Sequence, residues 1–199
     1  MSGWTRHLGT AVLLAAEGID TDQIIPARFM SAPRSEGYGR FLLHDARFDA
    51  DGGARPHPLN DAPPRVIVAR RNFGSGSSRE AAVYALVDAG IRVVVASGFG
   101  DIFAANAVNN GLLPAVATPD AVEALLAAAP LPLAIDLDAE TIAGGATTIR
   151  LDLDPTALLK LREGLDDIDL TARHGEAIAA YRARLGRERP WAWPSGADA

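Results

Sequence analysis

Three features of the sequence predict an α/β fold built on parallel strands. Apolar runs of strand length, residues 66–69 and 92–96, are each followed by a glycine turn and then a stretch with helical periodicity. Strand–turn–helix therefore occurs twice in succession, and right-handed crossovers put both turns at the carboxyl edge of one sheet. The composition, 48% hydrophobic and 22% charged over 199 residues, is enough for one well-buried core without covalent staples.

The elements follow in order. The apolar run 11–16 reads as a buried strand, followed by the polar turn Glu17-Gly18-Ile19-Asp20-Thr21-Asp22. Pro26 argues against a long helix over 23–30. Residues 31–64 are rich in Gly, Pro, Arg and Asp, but Tyr38, Phe41 and Phe48 interleave them, which favours an ordered functional loop. Residues 66–69 form a strand, 72–77 a glycine-rich turn, and 78–89 a helix with Ala82, Ala85, Leu86 and Ala89 on one face, closed by Gly90. After the strand 92–96 and the turn Gly98-Phe99-Gly100 comes a helix over 101–109, ended by Gly111. Pro119 opens another helix, to about 128. Residues 133–137 and 148–153 alternate apolar and polar, and the turn at Gly144-Gly145 makes them a hairpin. Pro155 begins a helix ended by Gly164. Residues 171–185 form a last amphipathic helix with Ile178, Tyr181 and Leu185 on one side, and 189–199 a tail carrying Trp191 and Trp193.

The charge balance narrows the function classes. A net charge of −6 and basic clusters only at Arg70-Arg71 and between Arg182 and Arg189 argue against a nucleic-acid partner. A small anionic substrate remains compatible, because a few arginines in one pocket outweigh distant charge. With no cysteine, the chain forms no disulfide and holds no thiolate-ligated zinc or cluster by itself. His7, His44, His57 and His174 are not spaced as a metal pair on a helix face. The start, residues 1–10, lacks a signal-like apolar core, and the run 11–16 is too short to span a bilayer. The expectation is a soluble cytoplasmic protein with no membrane partner.

The stretch Asn72-Phe73-Gly74-Ser75-Gly76-Ser77-Ser78-Arg79-Glu80 is the most informative chemically. Its glycines let the backbone approach a ligand closely, and the following helix points free N–H groups and its positive dipole end at the turn. Arg79 adds a guanidinium fork that suits a carboxylate, and Ser77 and Ser78 add hydroxyls. A second account needs no ligand: Ser77-x-x-Glu80 matches a capping box. Without a Lys after Gly76 the turn is not a P-loop, and with Phe103 in the third position Gly98-Phe99-Gly100 is not a dinucleotide fingerprint. Asp20-Thr21-Asp22-Gln23 could hold a divalent cation, but reads better as a turn in which Asp bonds its own backbone. Asp166-Asp167 reads as a solvated loop.

Taken together, these stretches resemble a known family. Asp20-Thr21-Asp22-Gln23-Ile24-Ile25-Pro26 is similar to the opening signature of isopropylmalate isomerase small subunits. So are the turn from Asn72 to Glu80, Asp101-Ile102-Phe103 with Asn110-Gly111-Leu112-Leu113-Pro114, and Gly164-Leu165-Asp166-Asp167-Ile168-Asp169-Leu170-Thr171. They occur in the right order over nearly the whole chain.

The resemblance implies a swivelling β/β/α domain of the aconitase superfamily over 1–199, with a recognition loop at about 28–40 and a C-terminal helix and tail at about 171–199. It implies a separate large subunit whose cysteines hold a four-iron, four-sulfur cluster, and no metal or cofactor on this chain. It implies dehydration and rehydration interconverting 2-isopropylmalate and 3-isopropylmalate, in leucine biosynthesis. Ser77 would be the base and Arg79 would hold a substrate carboxylate, with Ser78 and Gly76 helping to bind substrate. Arg28, Phe29 and Tyr38 of the loop would read the substrate's variable group. Phe29, Met30 and Tyr38 suit an apolar group, whereas Arg28, Arg34 and Arg40 suit a longer dicarboxylate. Ser75, Ala81, Val83 and Tyr84 stand where the family usually has Cys, His, Pro and Trp. Those departures keep two alternatives open: a related hydroxy acid such as homoaconitate or a citramalate-like substrate, and a non-catalytic binding module with the swivel fold.

Overall fold

The computed structural model describes residues 2–61, 66–128 and 131–192. Its contacts divide into two compact units, Met1–Leu165 and Asp166–Ala199.

In the first unit the elements run β1 (Arg6–Leu14), α1 (Thr21–Ile24), α2 (His44–Arg47), α3 (Pro58–Asp61), β2 (Val66–Ala69), α4 (Glu80–Asp88), β3 (Val93–Ala96), α5 (Asp101–Asn109), β4 (Leu113–Val116), α6 (Pro119–Ala127), β5 (Pro132–Asp136), β6 (Thr141–Gly144), β7 (Thr147–Arg150) and α7 (Pro155–Glu163). The strands form one sheet in the order β4-β3-β2-β1-β5-β6-β7.

β1 joins two kinds of sheet. Residues 11–14 pair in parallel with 66–69 of β2, while residues 6–10 pair antiparallel with 132–136 of β5. β2, β3 and β4 continue the parallel half, and β6 and β7 the antiparallel half. Burial follows the pairing. Every residue of β2 and β3 is buried, because helices and loops cover both faces of the parallel half. Ile67, Ala69, Val94 and Ala96 face one core with Leu42, Phe73, Ala82 and Leu86, while Val66, Val68, Val93 and Val95 face a second with Val122, Leu125 and Leu161. In β5 only Leu133 and Ile135 point inward, the alternation of a sheet with one wet face. Each such full burial of a Val, Leu or Ile stabilises by about 1.5–3 kcal/mol.

Several sequence-based boundaries shift for physical reasons. β1 starts at Arg6, because its polar first half is paired on β5 rather than buried. β4 carries Pro114 and escapes a pattern-based reading; it is an edge strand, where a proline costs no ladder bond on the open side. The predicted hairpin of 133–137 with 148–153 is corrected: β6 lies between β5 and β7, and the Gly144-Gly145 turn joins β6 to β7. The loop after β1 is ordered by α2, α3 and short 3-10 turns at Ala27–Phe29, Arg34–Glu36 and Gly39–Phe41.

In the second unit the predicted helix 171–185 is two helices, α8 (Asp167–Ala172) and α9 (Gly175–Glu188). Asp166 is a cap and not a plain solvated loop: it accepts from the Asp169 N–H at 2.8 Å, and the Asp169 carboxylate accepts from the Asp166 N–H at 3.0 Å. Ile178 and Tyr181 are exposed on α9. Of the expected tail 189–199, Pro190–Ala192 form a short 3-10 turn with Trp191 exposed; 193–199, including Trp193, lie outside the described residues. Among the described residues, no helix is long and apolar enough to cross a membrane.

Candidate active site

Parallel pairing brings the carboxyl ends of β1, β2 and β3 to one edge, and the connecting turns lock together there. The Gly18 N–H donates to the Arg71 carbonyl at 3.0 Å, the Gly74 N–H to Ile19 at 2.7 Å, and the Thr21 N–H to Ser75 at 3.0 Å. From the other side, the Phe73 N–H donates to Gly98, and the Gly100 N–H to Phe73, both at 3.0 Å. The turn after β2 is thus held between its neighbours like a short third strand.

Its glycines have defined work. Gly74 has a φ of +71°, and a Cβ there would lie 2.2 Å from the Phe103 ring. Gly76 has a φ of +94° and reverses the chain between Ser75 and Ser77. Beneath the turn, the buried Phe73 meets Phe103 edge-on at 5.5 Å between ring centroids. Above it, Ser77 and Ser78 are exposed.

The capping-box account of Ser77 and Glu80 is not what the chain builds. The cap of α4 is Arg79, without a side-chain capping bond, and helix begins at Glu80 rather than at Ser78. Glu80 instead accepts from the Asn110 side-chain amide at 2.8 Å. Burial, and then Glu80 beside it, push the Tyr84 hydroxyl above its ordinary pKa. A capping box does form nearby, on α1: Asp20 accepts from the Gln23 N–H at 2.7 Å, and Gln23 accepts from the Asp20 N–H at 3.1 Å. The Asp20–Gln23 stretch, expected as a turn, is the cap and first residues of the one-turn helix α1, with the Asp20 carboxylate bonded to the backbone three residues on.

Arg79 projects from the same corner and donates through Nη1 to Asp22. Its side chain is 23% exposed, against 56% for Asp22. Ser77, Ser78 and Arg79 are thus brought together at the sheet edge, with Gly76 beside them.

The residues expected to read the substrate divide. Arg28 is exposed and pairs with Asp45, whose carboxyl is held down at about 2, chiefly by the hydrogen bond from that guanidinium. Phe29 is half-buried and stacks on Phe41 at 4.3 Å. Tyr38 is 7% exposed, and its hydroxyl donates to the Ala32 and Met30 carbonyls at 2.9 and 3.3 Å. Its backbone N–H donates to Asp88 at the end of α4. Arg34 lies over the Tyr84 ring, 3.3 Å from its centroid, so the loop is pinned to the helix that begins at the serine turn.

A cleft of about 630 Å³ lies at the end of β1, with Leu13, Ile19, Leu43 and His57 in its wall. Asp22 and Asp45 both line it. The partners of Arg79 and of Arg28 therefore share one cavity, which sequence reasoning did not anticipate. His57 is kept below its ordinary pKa, first by burial and then by Arg47. Of the departing positions only Ser75 is at the corner, half-buried in the turn between Gly74 and Gly76; Ala81 and Val83 are buried in the core, and Tyr84 packs on Arg34.

Known proteins resemble this chain in sequence and fold. Residues 1–119 match the family model of the aconitase C-terminal domain. The 3-isopropylmalate dehydratase small subunit of Shewanella denitrificans is 41% identical over 196 residues, covering 93% of this chain and 98% of that one. That of Caulobacter vibrioides is 40% identical over 199 residues, covering 96% and 98%. The crystal structure of 3-isopropylmalate dehydratase from Methanocaldococcus jannaschii superposes with a TM-score of 0.67 at 30% identity, covering 89% of this chain and 99% of that one.

Proposed function

Because the chain belongs to the family of 3-isopropylmalate dehydratase small subunits, in the aconitase superfamily, we propose that Ser77, Ser78 and Arg79 are its contribution to the active site of that hydro-lyase. The enzyme isomerises 2-isopropylmalate and 3-isopropylmalate by dehydration and rehydration, a step of leucine biosynthesis. The observation that carries the site assignment is the exposed Ser77, two residues before Arg79, where the connections after three parallel strands meet.

Isomerisation requires a proton to leave the carbon next to a carboxylate, so negative charge builds on that carboxylate. Arg79 binds the carboxylate and neutralises the growing charge. Ser77, deprotonated, takes the proton on its side-chain oxygen while the hydroxyl leaves the neighbouring carbon and a double bond forms. On rehydration the proton returns to the carbon that lost the hydroxyl, and hydroxide adds to the carbon that lost the proton. A serine is a weak base in water, and two features of this corner favour its deprotonated form: the positive end of α4 and the nearby guanidinium. Ser78 and the Gly76 backbone complete the cradle. Phe29 meets the substrate's alkyl group, Arg28 stays paired with Asp45 beside it, and Tyr38 sets the loop's shape from below.

The large subunit is the partner in this reading, and it shuts the corner off from water. The chain has no cysteine, so its residues do not fit an iron–sulfur cluster, and the four-iron, four-sulfur cluster is assigned to the large subunit. The assembly belongs in the cytoplasm, with a net charge of −6 that disfavours nucleic acid.

Anaerobic reconstitution with the large subunit tests the assignment, with turnover followed by ultraviolet absorption of the unsaturated acid. Ser77→Ala is expected to lower kcat by about 10²–10⁴-fold with assembly intact. Retention of turnover by Ser77→Ala would remove Ser77 from the chemistry. Failure of the wild-type pair to turn over either isopropylmalate would overturn the substrate assignment.

A further inference from the structure

Thr21 stands out because it is a buried hydroxyl with a specific address. It is 1% exposed, and only it and Lys160 are buried polar or charged residues among the described ones. A hydroxyl buried this deeply is costly unless hydrogen bonded. Thr21 Oγ1 donates to the Ser77 carbonyl at 3.1 Å, across 56 residues of sequence.

The same residue makes a second contact with the same turn, through its N–H to the Ser75 carbonyl. Thr21 therefore fixes the carbonyls before and after Gly76, a residue at a φ of +94°. A Cβ at Gly76 would lie 3.8 Å from Thr21 Oγ1, so the reversal is wrapped directly on this side chain. The Ser77 carbonyl also accepts from the Arg79 N–H at 2.8 Å, and a carbonyl has two lone pairs to serve both donors.

Thr21 is itself fixed. It is the first residue of α1, directly after the Asp20 cap, and its carbonyl accepts from the Ile25 N–H at 3.0 Å. One end of the contact is thus a capped helix turn, and the other is the peptide that carries the Ser77 side chain.

We propose that Thr21 is a positioning residue for the reaction: its hydroxyl, bonded to the Ser77 carbonyl, sets where the Ser77 hydroxyl points. The proposal rests on the reading of Ser77 as the proton-transferring group. Thr21 lies beneath the turn and touches no substrate; it acts through the peptide of Ser77. Loss of its hydroxyl lets the Gly76 reversal relax and moves the serine oxygen relative to a substrate held by Arg79. Proton transfer is then slowed, while carboxylate binding is kept.

Thr21→Val keeps the side-chain shape and removes the donor, and Thr21→Ser keeps the donor. In the reconstituted two-subunit enzyme, Thr21→Val is expected to lower kcat by about 10–100-fold, the scale of a displacement near 1 Å, with KM within about twofold. Thr21→Ser is expected to recover kcat to within about threefold of wild type. Wild-type kcat in Thr21→Val, or an equal loss in Thr21→Ser, overturns the proposal. If Thr21→Val does not assemble, Thr21→Ala against Thr21→Ser is the deciding pair, with the same expected split in kcat and the same overturning results. Ser77→Ala in parallel separates the two levels of argument. If it loses turnover while Thr21→Val does not, the positioning role alone is wrong; if it keeps turnover, the reading of Ser77 beneath it is wrong.

Discussion

The guanidinium of Arg79 is held by the carboxylate of Asp22, 57 residues earlier in the chain. The contact runs through Nη1, and a guanidinium carries five N–H donors in a fixed fork. Asp22 thus orients the fork without consuming it, and a substrate carboxylate approaching from the open side can still meet two parallel donors. Thr21 and Asp22 are adjacent, so one short helix turn holds the serine peptide and the arginine together.

The first prediction concerns that pair. Asp22→Ala is expected to raise KM about tenfold through loss of fork orientation, with a smaller effect on kcat. Its stability cost is expected to be below about 1 kcal/mol, because Asp22 is 56% exposed and such pairs are screened. Steady-state kinetics of the reconstituted enzyme and a urea titration of the small subunit check both parts. An unchanged KM would show that Arg79 needs no orienting partner.

Gly74 gives a prediction about the frame. A methyl group there meets the Phe103 ring at 2.2 Å, and the φ of +71° is strained for an L side chain. Gly74→Ala is therefore expected to destabilise by about 2–4 kcal/mol, from overpacking and strain together. Thermal or denaturant unfolding measures it directly. A loss under about 1 kcal/mol would mean that the turn can move away from Phe103.

The central parallel strands β2 and β3 were legible in the sequence because they are buried on both faces. Such strands read as unbroken apolar runs, as residues 66–69 and 93–96 do. The turn itself was legible from Gly74 and Gly76, which no other residue replaces easily at those φ values. Four things were hidden. β4 carries Pro114 and does not read as a strand. The polar first half of β1 is stabilised by pairing rather than by burial. β6 is four residues long and contains a glycine, so it looks like part of a turn. The Thr21–Ser77 and Asp22–Arg79 contacts join residues more than fifty positions apart, and no local pattern encodes them. The capping-box reading failed for a related reason: Asn110, brought in by α5, takes Glu80.

His57 gives a pH-dependent prediction. Burial, and Arg47 beside it, depress its pKa in the folded chain. The unfolded chain then binds the proton more tightly than the folded one. The neutral form's contribution to stability is complete above about pH 6.5 and is lost as pH falls through the lower folded value. The urea midpoint of wild type is expected to fall between pH 8 and pH 5.5 by more than that of His57→Gln. Parallel pH dependences in the two proteins would contradict burial of a neutral imidazole.

The last prediction separates reading a substrate from shaping the loop that reads it. The Tyr38 hydroxyl bonds the carbonyls of Ala32 and Met30, and its ring is buried in the core that includes Leu42 and Leu86. Removing the hydroxyl leaves two loop carbonyls short of a donor, which is expected to cost about 1 kcal/mol. For a chain of this size that corresponds to a fall of about 2–4 °C in melting temperature. Tyr38→Phe should therefore lower the melting temperature of the small subunit while leaving the preference between 2-isopropylmalate and a longer dicarboxylate within about twofold of wild type. Phe29→Ala should do the reverse. Half-buried and stacked on Phe41, Phe29 presents its remaining surface from the loop, and its loss should shift substrate preference more than stability. If Tyr38→Phe instead changes the preference with no change in melting temperature, the tyrosine reaches the substrate, and the loop must open from the arrangement seen here when the large subunit binds.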